Sequence, residues 1–449
     1  MGKKSRTIMI ILLAFLLLIV IGVVWFLRWT NPDFASSLEG VKRNQVTRKL
    51  IICVDGVPWR TINQLWEKGH FKAFHRPSKV IVAFPTMTNV TSTVIWNASR
   101  VAGYESAYFD KEKNLMVSGV GKYLHKRVIE PGDFHQHFDY LEPIPYESTT
   151  YVLPRRICKS DLKRFIEAYS ISEKEEFCTF IKSTDGMMHI LGKEGAEEIL
   201  LVIDDMLDKI YHSRKDDMEI MLFSDHGFNF AKSRRVKLKS LLKSSGFDVR
   251  NDLRNEKSVV LPSFGLVGFA AIYTAEDNKR KIAQQVPALE GVDFSAYRKD
   301  DALHIFGQEG EAKILKKTVN HTELYKYEII TGDPLSYKDI LESLTRLGKA
   351  DKEGYIPDSD WFEATKDHPY VDALNRLYQA FSGQVESEAD ILISLKDGYF
   401  HGNALFSVIA TILGTHGSLL DTNSVGFFMS TAKEAPSHIR DNQLIDYLK

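Results

Sequence analysis

Four short runs of continuous apolar residues punctuate the chain: 50–54, 79–84, 177–182 and 219–223. Runs of this length without alternation predict strands buried on both faces. Between the last two, Ala196, Ile199, Leu200, Ile203, Leu207 and Ile210 recur at helical spacing, with acidic residues on the other face. That pattern predicts a long amphipathic helix. Strands alternating with helices predict an α/β fold, a mostly parallel sheet flanked by helices on both faces. From about residue 230 to 400 the pattern changes to Lys/Arg-rich helical segments and hairpin-like pairs, such as 312–318 with 324–330. This stretch reads as an inserted α+β cap. A buried-strand run at 389–395, a strand-like 425–429 and a final helix close the chain.

The N-terminus has a different character. Residues 7–27 carry no charge and follow Lys3, Lys4 and Arg6. A helix of that length spans roughly 30 Å, the thickness of a bilayer core. Trp25, Arg28 and Trp29 stand at its far end, where interfacial anchors belong. The expected organisation is a cytoplasmic tail (1–6), a transmembrane signal-anchor (7–27), a polar linker (28–47) and one large α/β domain with the cap (48–449). A cleaved signal peptide is the alternative; its apolar region would be shorter and end at a small-residue site. The basic N-terminus places the large domain on the periplasmic, extracellular or lumenal side.

Composition narrows the function. With 44% hydrophobic and 26% charged residues the chain can build a large core, and a formal net charge of -1 gives no indication of a nucleic-acid polymer as partner. The three cysteines, Cys53, Cys158 and Cys178, include no C-x-x-C pair, which argues against a cysteine-built zinc site. Cys53 lies within an apolar run and reads as core; Cys158 and Cys178 are either a disulfide or two buried thiols.

The chemistry gathers where the predicted strands end. Asp55-Gly56 follows the first run, Pro85-Thr86-Met87-Thr88 the second, Ser183-Thr184-Asp185 the third and Ser224-Asp225-His226-Gly227 the fourth. In open α/β sheets, ligands bind at the carboxyl ends of the strands. Asp185 and His189 are four apart at a helix start, a spacing that can bring both onto one metal. Taken singly, each fragment also reads as an ordinary turn or cap.

In this order, Asp55, Thr88, Asp185 with His189, Asp225-His226-Gly227 and His416-Gly417 resemble the alkaline phosphatase superfamily, in particular its type I phosphodiesterase/nucleotide pyrophosphatase branch. The resemblance runs from about residue 48 to the end, minus the cap. It implies two Zn2+ ions, with other divalent metals open: one held by Asp185, His189 and His416, the other by Asp55, Asp225 and His226, with Thr88 reaching in. Thr88 would be the nucleophile, as the second threonine of P-T-x-T, with Thr86 the alternative. Phosphoester hydrolysis would pass through a phosphothreonine. Backbone N–H groups at Thr88 and Asn89 would stabilise phosphoryl oxygens.

Two features depart from the family pattern. The phosphate-contacting Asn expected after the nucleophile has Asn114 as its nearest counterpart, so Asn89 and Asn114 are the candidate substrate contacts. Arg100 stands in the corresponding region as a surface residue or a second phosphate contact. The substrate class is a phosphate-ester small molecule or lipid head group, a diester before a monoester. The alternatives are a phosphomonoesterase, a lipid-linked phospho-alcohol transferase of the same superfamily, or an inactive binding protein.

Overall fold

A computed structural model describes residues 17–449, apart from 19, 31–32, 119–131, 144–148, 215–216, 264 and 404–410. The central sheet contains β1 (Lys49–Val54), β2 (Ser78–Ile81), β3 (Tyr140–Leu141), β4 (Glu176–Ile181), β5 (Glu219–Phe223), β6 (Val425–Ser430) and β7 (His438–Arg440). Their order is β7-β2-β6-β5-β1-β4-β3. Every neighbouring pair is parallel except the two that β6 makes.

β1 shows why the unbroken apolar run is a central strand. Leu50, Ile52 and Val54 face one helical layer, and Ile51 and Cys53 face the other. All five are at most 1% exposed, each aliphatic contributing about 1.5–3 kcal/mol of burial. The first layer holds α3 (Pro154–Ser170) and α4 (Ser183–Ser213), the predicted amphipathic helix, whose six periodic residues are all buried. The second includes Ile95 of α2 (Thr88–Ile95) and Leu444 and Leu448 of α5 (Asp441–Leu448). α1 (Trp59–Glu67) packs its buried Ile62 and Leu65 into the first layer. Val54 pairs with Ile181 and Cys53 with Phe223, so the carboxyl ends of β1, β4 and β5 are flush.

A second, nine-stranded sheet is built from strands between Asp248 and Leu395. The expected hairpin is part of it: Gly310–Val319 pairs with Thr322–Gly332. Asn320 and His321 turn the chain with φ of 48° and 64°, a pattern matched to strand twist. The run at 389–395 forms strand Ile391–Leu395 in the middle of this sheet, antiparallel to Phe269–Thr274 and Val292–Lys299. One face of the sheet shares a core with Phe84, Met87 and Val90, so α2 is wedged between the two sheets.

Two expectations about the N-terminus meet the structure differently. The span at 7–27 lies largely outside the described residues; residues 17–18 and 20–29 are helical. Among the described residues no helix is long and apolar enough to cross a membrane. The end of this helix is held by α3: Arg156 donates to Leu27 O at 2.5 Å and to Thr30 Oγ1 at 2.9 Å, and Arg164 donates to Trp29 O at 2.8 Å. Cations there complement the carbonyl end of the helix. The stretch read as a linker is packed from residue 33 onward. Val41 is 1% exposed, and Asn44 donates to Tyr169 O at 2.6 Å while its own carbonyl accepts from buried Arg214 at 2.9 Å. Its polar composition concealed this, because the polar groups are satisfied internally.

Candidate active site

The strand ends bring together residues from five parts of the chain. Asp55 leaves β1, and Thr88 opens α2 after β2. Asp185 occupies the first turn of α4 with His189 one turn on, and Asp225-His226 leaves β5. His416 arrives from the loop before β6. Gly56 is required beside them: its φ is 73°, and a Cβ there would meet Asp185 Oδ1 at 3.2 Å and His226 Cε1 at 3.1 Å.

Thr88 Oγ1 lies 3.4 Å from Asp55 Oδ1 and 3.3 Å from His226 Nε2. His226 Nε2 is 3.3 Å from Asp55 and 3.6 Å from Asp225. Asp185 Oδ2 is 3.3 Å from His189 Nε2, and its Oδ1 is 3.7 Å from His416 Nε2. Two clusters have mutual ligand-atom distances suited to one ion: Asp185, His189, His416, and Asp55, Asp185, His226. Asp185 thus faces both. Asp225 adjoins the second cluster through His226, and its Oδ1 accepts from Gly56 N–H at 3.1 Å. Thr86 is buried and committed elsewhere: its hydroxyl accepts from Gly417 N–H at 2.7 Å, and its carbonyl binds His416 Nδ1 at 2.9 Å. Of the two threonines, only Thr88 presents its hydroxyl to the clusters.

The histidines are set as ligands. Nδ1 of His189, His226 and His416 each lies 2.9 Å from a backbone carbonyl, those of Gly414, Gly227 and Thr86. A carbonyl only accepts, so in each case Nδ1 carries a proton and Nε2 is the ring nitrogen turned inward, the one a cation would bind in place of a proton. Buried Asp185 Oδ1 and Asp225 Oδ2 have no hydrogen-bond partner. Lone pairs of His416 and Asp185 therefore face each other with no proton between them, an arrangement a cation relieves.

Electrostatics point the same way. Burial, reinforced by the charge of Asp225, pushes the Asp55 carboxyl up to about 8. Burial opposes an imidazolium at His226, but Asp225 and Asp55 outweigh it and raise the ring to about 10. Burial and repulsion from His226 drop His416 to about 3. Burial opposes ionisation of Asp185 too, yet His189 and His416 hold it below the usual carboxylate range. Three converging carboxylates create a demand for positive charge, and their oxygens with the imidazole nitrogens form a donor set that could hold a metal ion.

A cavity of about 140 Å³ opens over these groups, lined by Thr88 and Asn89 on one side and by Tyr104, Tyr151 and Lys182 further round. Asn89 is therefore at the site as expected. Asn114 is not: it sits at φ 51° in the turn between strands Tyr108–Asp110 and Leu115–Val117, and its amide exchanges hydrogen bonds with the Leu253 backbone at 3.0 and 2.8 Å. A hairpin turn needing a left-handed residue accounts for that asparagine. Arg100 is exposed and lies against Gly383 rather than the cavity. Cys158 and Cys178 are separate buried thiols, Cys158 accepting from Ser183 Oγ at 3.3 Å. Lys182 went unremarked in the sequence, where it reads as the polar end of a strand.

Comparison with known proteins adds to this geometry. No curated protein sequence matches the chain. Among solved structures, murine ectonucleotide pyrophosphatase/phosphodiesterase 5, in an inactive form in complex with AMP, aligns at 12% identity and TM-score 0.48, over 90% of this chain and 94% of that one. The human protein of the same name aligns at 11% identity and TM-score 0.47 over the same shares. The profile described as type I phosphodiesterase / nucleotide pyrophosphatase matches residues 87–313, a span holding Thr88, Asp185, His189, Asp225 and His226. That match covers just over half of the chain, which therefore belongs to the type I phosphodiesterase/nucleotide pyrophosphatase family and is a hydrolase of phosphoric ester bonds.

Proposed function

We infer that the protein cleaves a phosphate diester through Thr88, with two divalent cations, zinc first among them, held by Asp185, His189 and His416 and by Asp55, Asp225 and His226. The observation that carries this reading is the convergence of three inward-facing Nε2 atoms and three carboxylates beside the Thr88 hydroxyl. Bound cations would supply Lewis acidity to a hydroxyl that is a poor nucleophile at neutral pH.

Thr88 Oγ attacks phosphorus, its proton directed toward Asp55 Oδ1 at 3.4 Å. The bond from phosphorus to the leaving alcohol breaks, giving a phosphothreonine. Water then attacks phosphorus and releases Thr88. Free N–H groups in the first turn of α2, which has no side-chain cap, are available to the phosphoryl oxygens. The catalytic domain would face the cell exterior, periplasm or lumen, anchored through residues 7–27.

Metal analysis of the purified protein, with kinetics on a diester and a monoester, tests this. Thr88→Ala should lose at least ~10³-fold in kcat while keeping its metal. Full turnover in that variant, or active protein free of divalent metal, would overturn the mechanism.

A further inference from the structure

The geometry points to Lys182 as a substrate-binding residue that takes a second negative charge on the substrate, on the reacting phosphoryl group or on a phosphate next to it. This rests on the phosphoesterase reading above and goes beyond it in specifying the charge of the substrate.

Lys182 directly follows β4, three residues before Asp185, and is the one buried lysine among the described residues, at 8% exposure. It lines the cavity together with Thr88, Asn89 and Tyr151. Among the described residues its ammonium makes no hydrogen bond or ion pair. It lies 5.3 Å from the Phe180 ring centroid, a contact that supports a cation without neutralising it. Asp133, an acid that feels its charge, already accepts from His135 N at 2.9 Å and pairs with His135 Nδ1 at 2.6 Å. A buried ammonium without a counter-ion is costly, so a lysine kept in such a place has a use for an anion.

Charge balance says which anion. Two dications against three carboxylates leave one positive charge, which a diester phosphate neutralises. Lys182 adds a second positive charge to the same cavity, and a diester with neutral substituents has nothing to offer it. A phosphate monoester, or a diester bearing a further phosphate, does.

The test uses the full-length, metal-loaded protein, with bis(4-nitrophenyl) phosphate as singly charged substrate. Phenyl phosphate and ADP serve as competitive inhibitors, the first carrying the extra charge on one phosphoryl group, the second on a neighbouring phosphate. In Lys182→Gln the inhibition constant of at least one should rise about 10- to 100-fold, as expected for a lost charge-assisted hydrogen bond. KM for the diester should rise much less than that inhibition constant, and Lys182→Arg should recover most of the loss. Equal weakening of diester and inhibitors, or no weakening of either inhibitor, overturns the assignment. If Lys182→Gln folds poorly, Lys182→Met fills the same space without a polar group, and the same ratios decide. Thr88→Ala, run alongside, keeps the two readings apart: surviving turnover removes the nucleophile, whereas the inhibitor ratios decide on Lys182 independently.

Discussion

At the scale of single residues, the site depends on groups that touch no substrate. Thr86 is the clearest. Its hydroxyl and carbonyl together hold Gly417 N–H and His416 Nδ1, fixing the candidate ligand that arrives from the loop before β6. Thr86→Val keeps the shape but strands the Gly417 N–H, which costs about 1–3 kcal/mol when buried. The expected result is lower stability by that amount in urea and weaker retention of one metal equivalent, with Thr88 intact. Unchanged stability and metal content would show that the loop is fixed by other contacts. The sequence offered Thr86 and Thr88 on equal chemical terms, and only the resemblance to a family ranked them. The reason for the ranking, that one hydroxyl is consumed by a neighbouring loop, lies in a contact across 331 residues. Lys182 was illegible for a related reason: a strand-end lysine usually snorkels to solvent.

Among the elements, what the pattern could express came through. β1, β4 and β5, with the periodic helix between the last two, are continuous in sequence, so local apolar patterning specifies them and places Asp55, Asp185 and Asp225 at one edge. The polar segment before β1 and the role of 389–395 depend on distant partners, and the pattern was silent about both. The strand Tyr399–Gly402 shows such dependence in its energetics. It pairs with Leu266–Val267, which lines the cavity, and carries buried His401, whose Nε2 lies 2.7 Å from Pro262 O. Burial, with the nearby charge of Arg235, lowers this ring to about 4. The unfolded chain binds a proton near pH 6.5, which the folded ring refuses until about pH 4. The stabilisation is therefore complete above pH 6.5 and lost as pH falls through that window, by about 1.4 kcal/mol per unit. Urea unfolding of the wild type and His401→Gln between pH 4 and 7 should show this slope in the former and a flatter one in the latter. Parallel profiles would remove His401 from the account.

For the whole molecule, the question is where the folded body begins. Composition put the start at residue 48, but the structure ties residues 33–47 into the layer of α3 and α4. Val41 enters that core, Thr47 Oγ1 donates to Lys174 O at 2.9 Å, and Asn44 bridges Tyr169 and Arg214. A chain starting at Arg48 would expose fully buried Tyr169 and leave the Arg214 guanidinium without its backbone acceptor. Loss of the Val41 side chain costs about 1.5–3 kcal/mol, and each broken buried hydrogen bond about 1 kcal/mol more. A version starting at Asp33 keeps these contacts and omits only the helix that Arg156 and Arg164 hold. The version from 33 should melt within a few degrees of the full-length chain, and the version from 48 on the order of 5–10 °C lower. Metal content and diester turnover should survive in both at low temperature, because no site residue precedes Asp55. A version from 48 that melts as high as the full-length chain would mean that the segment merely lies on the surface. A version from 33 that melts as low as the one from 48 would shift the boundary into the N-terminal helix, and give Arg156 and Arg164 of α3, which hold its end, a part in stability.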